Sequence, residues 1–365
     1  MAIPLLDVVK MHEPIRDELL AALTQVLDSG SYIMGRYVEK FEGELAAHTG
    51  AETAIGVSSG SDALIVALMA LGVKPGDEII APSFTFFATA GAIVRTGGTP
   101  VFADIDPVTF NIDPDGIGEK ITDKTVGIIP VHLFGQSVDM DEISAIAEQH
   151  GLWVLEDAAQ SIGALYHGRM CGTMGTAGTY SFYPAKNLGA IGDGGAVVTN
   201  DEALAEKIAI LRNHGSHPKY HHSLVGGNFR LDAIQAAVLS VKLPHLKKWE
   251  ETRRAAAAAY TERLADSDLY VPPVELDGNR HVFNQYEMRV REGRRDAAAA
   301  KLAEAGIGHM IYYPVPLHLQ ECFADLGYRK GDLPATEQAC DEVLALPIMV
   351  DEETCEQVVS VLRSV

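Results

Sequence analysis

Between residues 50 and 200, short apolar runs alternate with segments of helical periodicity, and this alternation limits the folds open to the chain. Five runs rich in Val and Ile are typical of buried strands: AETAIGVSS, EIIAPS, TPVFADID, VGIIPVH and LWVLEDA. Between them, the segments DALIVALMALG, ATAGAIVRTG and MDEISAIAEQHG repeat apolar residues at helical spacing. The pattern predicts an α/β fold whose mostly parallel sheet is covered by helices on both faces.

The rest of the chain predicts a second, smaller unit. Two helical stretches follow, LDAIQAAVLSVKL and KKWEETRRAAAAAYTERLAD. The remainder mixes a strand pattern (HVFNQYEMRV), two helices (RRDAAAAKLAEAG and ATEQACDEVLAL) and a short strand (HMIYYPVP). We therefore expect a large domain over residues 1–250 and a smaller α+β domain over residues 251–365.

Composition excludes several classes of partner. The 365 residues carry a net charge of −21, and recognition of a nucleic-acid backbone needs clustered Lys and Arg. The four cysteines form no CxxC pair, which favours free thiols in the cytoplasm over a disulfide framework. The N-terminus acquires charges too early for a signal peptide, and no stretch approaches the ~20 apolar residues of a membrane span. The pair His221-His222 lacks accompanying ligands at metal-site spacing, so we expect no metal.

The motif SSGSDAL follows the first strand and opens a helix. Gly60 permits a close backbone approach, Ser61 supplies a hydroxyl, and free amides at a helix start bind phosphate. An ordinary helix cap explains the same residues equally well. At the next strand end, Phe86 has a ring that could stack on a flat cofactor, although core packing is the commoner role.

The string LWVLEDAAQS places Asp157 at the end of a very apolar strand. A buried carboxylate is costly unless a cation pairs with it. A protonated pyridine ring is such a cation, and an arginine is the alternative. Gln160, three residues later, could reach a hydroxyl on the same ring.

Lys186 lies in the glycine-rich segment SFYPAKNLGAIGDGGA. A lysine amine forms a Schiff base with pyridoxal phosphate (PLP), while an acid such as Asp157 keeps the ring nitrogen protonated. Burial near other cations lowers a lysine pKa and leaves the amine neutral enough to attack an aldehyde. Ser181 and Tyr183 precede the lysine and could meet the phosphate or the substrate. A solvated loop lysine is the alternative.

Together these motifs resemble the DegT/DnrJ/EryC1/StrS family of sugar aminotransferases, a branch of the fold-type I PLP enzymes. The resemblance covers almost the whole chain. In the family's order and spacing stand SSGSDAL, PSFTFFATA, EDAAQSIGA, SFYPAKNLGAIGDGGA, RNHG, GGNFRLDAIQAA and YYPVPLH. It implies a large PLP-binding domain, a smaller C-terminal domain and PLP as cofactor. Relatives with histidine in place of the lysine carry out dehydration, so the lysine favours amino transfer.

The resemblance also implies a role for each cofactor residue. Lys186 would be joined covalently to PLP, and Asp157 would pair with the pyridine nitrogen. Gln160 would contact the ring oxygen, and Phe86 would stack on the ring. The phosphate would be held by Gly60, Ser61, Ser181 and, from the neighbouring subunit, Asn228. That last contact implies a homodimer with shared active sites.

The implied substrates are a nucleotide-linked keto-sugar and an amino donor, usually L-glutamate. The stretch NHGSHPKYHHSLVGGNFRLD resembles members that aminate carbon 3 of a UDP- or dTDP-linked 3-keto-hexose or 3-keto-uronic acid, with carbon 4 as the alternative. Arg230 is a plausible fork for the donor carboxylate. Candidates for lining the sugar pocket are Tyr183, His214, Lys219, Tyr220, His221, Arg230, Tyr313 and His318. A surface or packing role explains each of these about equally well.

Two other functions compete with this one. A catalytically silent PLP-binding regulator would keep the same motifs, and its discriminating property is a lack of conversion by any amino acid. A dinucleotide-dependent oxidoreductase would share the alternation of strands and helices. It would need a GxGxxG turn after the first strand with an acid ~20 residues later, and the sequence lacks that pattern.

Overall fold

A seven-stranded sheet lies at the centre of the structure, a computed structural model that describes residues 2–365. The strands of the described residues are β1 (Thr53–Val57), β2 (Glu78–Pro82), β3 (Thr99–Ala103), β4 (Thr125–Ile128), β5 (Trp153–Asp157), β6 (Leu165–Tyr166), β7 (Arg169–Met170), β8 (Ala177–Ser181), β9 (Gly195–Thr199), β10 (Tyr270–Val271), β11 (Asn279–Arg280), β12 (Tyr286–Val290) and β13 (Val343–Leu346). The large sheet has the order β1-β9-β8-β5-β4-β2-β3, and only β9 runs against the other six strands. The predicted mostly parallel sheet is confirmed.

Helices cover both faces of this sheet. They are α1 (Val8–His12), α2 (Arg16–Ser29), α3 (Arg36–Thr49), α4 (Gly60–Leu71), α5 (Ala88–Arg95), α6 (Met140–His150), α7 (Glu202–Arg212), α8 (Ala233–Lys242), α9 (Leu246–Leu264), α10 (Arg295–Glu304), α11 (Pro334–Glu342) and α12 (Glu352–Leu362). Ile79 and Val197 pack on the side of α4, α5 and α7. Their chain neighbours point the other way: Ile80 packs toward α6, and Val198 packs toward α3 and α8. Burial on both faces explains why these strands read as continuous apolar runs.

The C-terminal part has a core of its own. Strands β10, β12 and β13 form a three-stranded antiparallel sheet, and α9, α10 and α12 pack their apolar residues against it. Residue 250 lies within α9, so one helix connects the two cores. A second contact between the two parts is a small sheet of β11, β6 and β7, in which β11 from the C-terminal part pairs with β6 from the N-terminal part.

Two C-terminal predictions are wrong. The segment HMIYYPVP forms no strand, and only Met310 makes an isolated bridge, to Ala345. Its prolines lack the amide that a strand ladder needs. The partner residue belongs to β13, which we predicted as the end of a helix. That helix, α11, stops at Glu342 because the following apolar residues are buried in the small sheet.

Among residues 2–365, no helix is both long enough and apolar enough to cross a membrane.

Candidate active site

A cavity of about 640 Å³ opens at the carboxyl edge of the large sheet. The ends of β1, β2, β5 and β8 meet there because parallel strands finish at the same edge. Seven of the eight residues that we predicted to bind the cofactor line this cavity: Gly60, Ser61, Phe86, Asp157, Gln160, Ser181 and Lys186. Of the substrate candidates, Tyr183 and Tyr313 line it as well.

The start of α4 forms one end of the cavity. Ser59 caps the helix, its Oγ accepting from the amide of Asp62 at 3.0 Å. Ser61 has an exposed side chain beside the free amides of the first turn. Gly195 passes behind this turn so closely that a Cβ there would lie 2.4 Å from the Ser59 carbonyl oxygen. Ser59 therefore caps the helix, and the free amides of the first turn are groups that could hold an anion such as a phosphate.

Asp157 is the buried acid of the cavity, with 5% of its surface exposed. Its Oδ2 accepts a hydrogen bond from the Thr89 hydroxyl at 2.8 Å, and its Oδ1 accepts one from the amide of Ala159 at 3.2 Å. Burial raises the pKa of this carboxyl, while these hydrogen bonds and the nearby Lys186 and His132 lower it. Among residues 2–365 no arginine forms an ion pair with Asp157. A buried carboxylate is stabilised by a cation, and a positively charged group of a bound ligand would supply one here.

Lys186 lies across the cavity in the loop between β8 and β9, partly buried. Its amide donates to the carbonyl oxygen of Tyr183 at 2.8 Å, which fixes the turn. Burial lowers the pKa of its amine to about 8, against the attraction of Asp157 and with a contribution from the Arg253 guanidinium. A lysine with this pKa is available as a neutral nucleophile near physiological pH.

Gln160 and Phe86 complete the ring-binding part of the cavity. Gln160 is held from both sides: its Oε1 accepts from the amide of Phe134 at 2.7 Å, and its Nε2 donates to the Tyr313 hydroxyl at 3.1 Å. Phe86 is 56% exposed, with its ring centroid 6.2 Å from that of Tyr313. The core-packing interpretation of Phe86 is therefore wrong, and its ring remains available for stacking.

A second group of predicted residues lies away from this chain's cavity. Within the described residues, this group lies in the loop 213–227 between α7 and α8 and just after it. His214, Lys219, Tyr220 and His221 belong to this loop, are exposed and do not line the cavity. Asn228 is also exposed, bridging to Asn213.

Arg230 is half-buried beside β1 and does not line the cavity either. Its Nη1 donates to the Asn213 side chain at 2.9 Å, while its buried Nε has no partner among the described residues.

His318 does not line the cavity, contrary to the prediction. It is 1% exposed, with Nδ1 at 2.7 Å from the Ser83 hydroxyl and Nε2 at 3.3 Å from a Glu337 oxygen. Burial lowers its pKa, and Glu337 opposes that shift. The short helical turn at Leu317–Leu319 directs the ring into the protein beneath the end of β2. Its hydrogen bonds there join this turn to Ser83 and Glu337.

From the sequence, Glu156 and His132 were assigned no role. Glu156 and His132 form a fully buried pair at 2.8 Å. Glu156 also accepts the amides of Gly172, Met174 and Gly175 at 2.5–2.6 Å. Alternation along β5 points Glu156 and Asp157 to opposite faces, a signal that was readable from the ED pair at the strand end. No comparable pattern in the sequence pointed to Thr89.

Comparison with known proteins agrees with this geometry. The family model described as the DegT/DnrJ/EryC1/StrS aminotransferase family matches residues 13–364. The chain belongs to this family. It is a PLP-dependent aminotransferase, as the sequence predicted, and the cavity residues fit that cofactor.

Relatives of this aminotransferase match over nearly their whole length. A protein of Geobacillus stearothermophilus named pleiotropic regulatory protein is 54% identical, covering 95% of this chain and 94% of the relative. A UDP-N-acetyl-3-dehydro-alpha-D-glucosamine 3-aminotransferase of Acidithiobacillus ferrooxidans is 43% identical, covering 99% and 97%. The solved structure of DesV from S. venezuelae with a ketimine intermediate has a TM-score of 0.97 and 42% identity, covering 100% and 98%. The fold-type prediction is thus confirmed.

Proposed function

We propose that this enzyme transfers an amino group from L-glutamate to carbon 3 of a UDP- or dTDP-linked keto-sugar. One observation carries the chemistry: the partly buried Lys186 and the buried Asp157 line the same cavity, together with Gly60 and Ser61 at the start of α4. The choice of carbon 3 is supported by the name of the 43% identical relative from Acidithiobacillus ferrooxidans. A 4-keto sugar is the alternative substrate.

PLP supplies an aldehyde for the amine and a ring that accepts electrons. Lys186 would hold the cofactor through its Nζ and, once released, would use the same atom to move a proton between the substrate carbon and the cofactor carbon. Its lowered pKa suits both tasks, because the amine must lose and regain a proton near neutral pH. The amides of Gly60 and Ser61, with the Ser181 hydroxyl, would hold the phosphate.

Asp157 would face the ring nitrogen as an anion, which stabilises the protonated ring. Gln160, fixed by Phe134 and Tyr313, would contact the ring oxygen. Phe86 would stack on the ring face from the cavity mouth.

Of the residues predicted to contact the substrates, some line the cavity and others lie outside it. Tyr183 and Tyr313 would meet the sugar, since both line the cavity and Tyr183 is 57% exposed. Arg230 remains our candidate for binding the donor carboxylate, because a guanidinium binds a carboxylate through parallel hydrogen bonds. His318 is left out of the proposal because its ring is already hydrogen-bonded inside the protein.

We propose a homodimer in which Asn228 holds the phosphate of the neighbouring subunit. In the same dimer, His214, Lys219, Tyr220 and His221 would complete the neighbour's sugar pocket. The exposure of these residues supports the proposal: Tyr220 is 80% exposed and Val225, in the same loop, is 91% exposed. Large apolar side chains exposed together on a loop are typical of a protein–protein contact.

The division into a large domain (residues 1–250) and a small domain (residues 251–365) is also our proposal, supported by separate hydrophobic cores on the two sides of α9. We place the enzyme in the cytoplasm, where the thiols of Cys171, Cys340 and Cys355 would stay reduced.

The test has two stages. Borohydride reduction of the PLP-loaded enzyme, followed by peptide mapping, should place the label on Lys186, and Lys186→Ala should lose both the label and turnover. Lys40→Ala, which changes an exposed lysine of α3, is the matched control. The amine-loaded enzyme should then be screened with UDP- and dTDP-linked 3-keto and 4-keto sugars by recovery of the cofactor absorbance. Recovery with 4-keto sugars alone would contradict the proposed substrate.

A second candidate is a regulator that binds PLP without turnover, favoured by the name of the 54% identical relative. The two candidates differ in one measurement. An enzyme loses its lysine-linked absorbance when L-glutamate is added, whereas a silent binder keeps that absorbance with every amino acid tested.

A further inference from the structure

Thr89 is a buried hydroxyl that touches the acid of the cavity. It is 0% exposed, lies in the first turn of α5 and places its Oγ1 2.8 Å from Oδ2 of Asp157. Asp157 lines the cavity, whereas Thr89 lies behind it. Another threonine, Thr85, lines the cavity, and its hydroxyl oxygen lies 3.3 Å from Oγ1 of Thr89.

Counting donors gives this chain of hydroxyls a direction. A threonine hydroxyl has one proton to donate and two lone pairs that accept. An ionised Asp157 only accepts hydrogen bonds, so the single hydroxyl proton of Thr89 is donated to Oδ2. Thr85 must then be the donor in the 3.3 Å contact, and the order is Thr85 to Thr89 to Asp157. Hydrogen bonds in such a chain polarise one another and strengthen the final bond to the carboxylate.

Three further groups near Asp157 act in the same sense. The amide of Ala159 donates to Oδ1, and Lys186 and His132 both favour the ionised form. The contact with Thr89 also brings the carboxylate to the first turn of the eight-residue helix α5, where the helix dipole favours negative charge. Burial is the opposing influence. Thr89 supplies the only side-chain hydrogen bond to this carboxylate within residues 2–365.

We propose that Thr89 is a positioning residue for the transamination, orienting Asp157 and holding it as the anion that faces the cofactor ring, with Thr85 completing the hydrogen-bond chain. The inference rests on the proposed pairing of Asp157 with the ring nitrogen. It assigns no contact between Thr89 and the cofactor: the residue acts through Asp157.

The experiment measures the Kd of the apo-protein for PLP as a function of pH. Thr89→Val removes the hydroxyl and keeps the shape, so PLP binding should weaken by about tenfold or more, the effect of losing a hydrogen bond to a charged group. The pKa of Asp157 should rise, so the affinity should fall away at a higher pH on acidification than in the parent. Thr89→Ser keeps the donor and should restore both properties.

Thr96→Val is the matched control, because the same substitution at the other end of α5 removes a hydroxyl that bonds only to carbonyl oxygens of Ala92 and Ile93. It should bind PLP like the parent. If Thr89→Val does not fold, Thr89→Ala removes the same donor and is expected to give the same weakening and the same shift in pH dependence.

Asp157→Asn separates this inference from the function on which it rests. If Thr89 acts through Asp157, adding Thr89→Val to Asp157→Asn should leave the Kd unchanged. Equal weakening in both backgrounds would overturn the inference, as would a Thr89→Val protein that binds like Thr96→Val at every pH. If Asp157→Asn itself binds PLP like the parent, the proposed pairing of Asp157 fails as well.

Discussion

Gly60 and Ser181 meet so closely that no side chain fits between them. A Cβ at residue 60 would lie 2.6 Å from the Cβ of Ser181 and 3.2 Å from its Cα. The contact joins the first residue of α4 to the last residue of β8, and both line the cavity. A phosphate seat built from helix amides and the Ser181 hydroxyl depends on this approach.

Gly60→Ala should therefore damage cofactor binding. The added methyl group must push α4 away from β8, which moves the amides of the seat from the Ser181 hydroxyl. We expect the Kd for PLP, measured by equilibrium dialysis, to rise by about tenfold or more, the effect of losing one charge-assisted hydrogen bond. Gly43→Ala is the control: a Cβ there meets nothing within 4 Å, and the substitution should stabilise α3 by about 0.5–1 kcal/mol. Equal affinity in the two variants would contradict this account of the seat.

The buried pair of Glu156 and His132 should contribute to stability. The amide of Val138 donates to Nδ1 of His132 at 3.2 Å, so Nε2 carries the proton that Glu156 accepts. Glu156→Gln turns an acceptor of four hydrogen bonds into a group with a donor facing other donors. We expect a loss of about 3 kcal/mol or more in unfolding free energy. Urea denaturation should show it, and a shift no larger than that of the exposed α6 variant Glu148→Gln would contradict it.

The cofactor residues were accessible from the sequence because they lie at the ends of apolar strands or in glycine-rich turns. Asp157 ends β5, and the segment of Lys186 follows β8. Since parallel strands end at the same edge of a sheet, these residues meet there. The roles of the individual side chains came from the resemblance to a family rather than from spacing.

The side-chain directions of Thr89 and His318 could not be predicted from the sequence. Thr89 reaches Asp157 across 68 positions because of how α5 is rotated on the sheet, and helical periodicity alone does not give that rotation. His318 carries a polar ring of the kind that binds sugars, yet a short helical turn directs it toward Ser83. For Asn228, the resemblance to the family, and no spacing in the sequence, implied that it serves the cavity of the neighbouring subunit.

The attachment of PLP to Lys186 should depend on pH as a lowered pKa requires. Only the neutral amine attacks an aldehyde, and its fraction rises as pH increases through the pKa of about 8. We expect the rate of attachment to the apo-protein, measured by borohydride trapping and peptide mapping, to rise from pH 7 to 9 and then level off. Asp157→Asn should move this rise to lower pH, because the carboxylate raises the lysine pKa. A rate that still increases in proportion to hydroxide at pH 10 would indicate a solvated lysine instead.

Hybrid dimers should reveal which subunit Asn228 serves. Asn228→Asp places a negative charge against the phosphate, so its homodimer should lose most of its PLP affinity. A hybrid of one Lys186→Ala subunit and one Asn228→Asp subunit, isolated with two different tags, would contain one intact site if Asn228 reaches across the interface. That hybrid should show about half of the parent activity per dimer, because a symmetric dimer has two equivalent sites. If Asn228 serves its own subunit, both sites of the hybrid are defective and it should be as inactive as the Lys186→Ala homodimer. A hybrid of Lys186→Ala with the parent subunit, active at one site in either case, calibrates the assay.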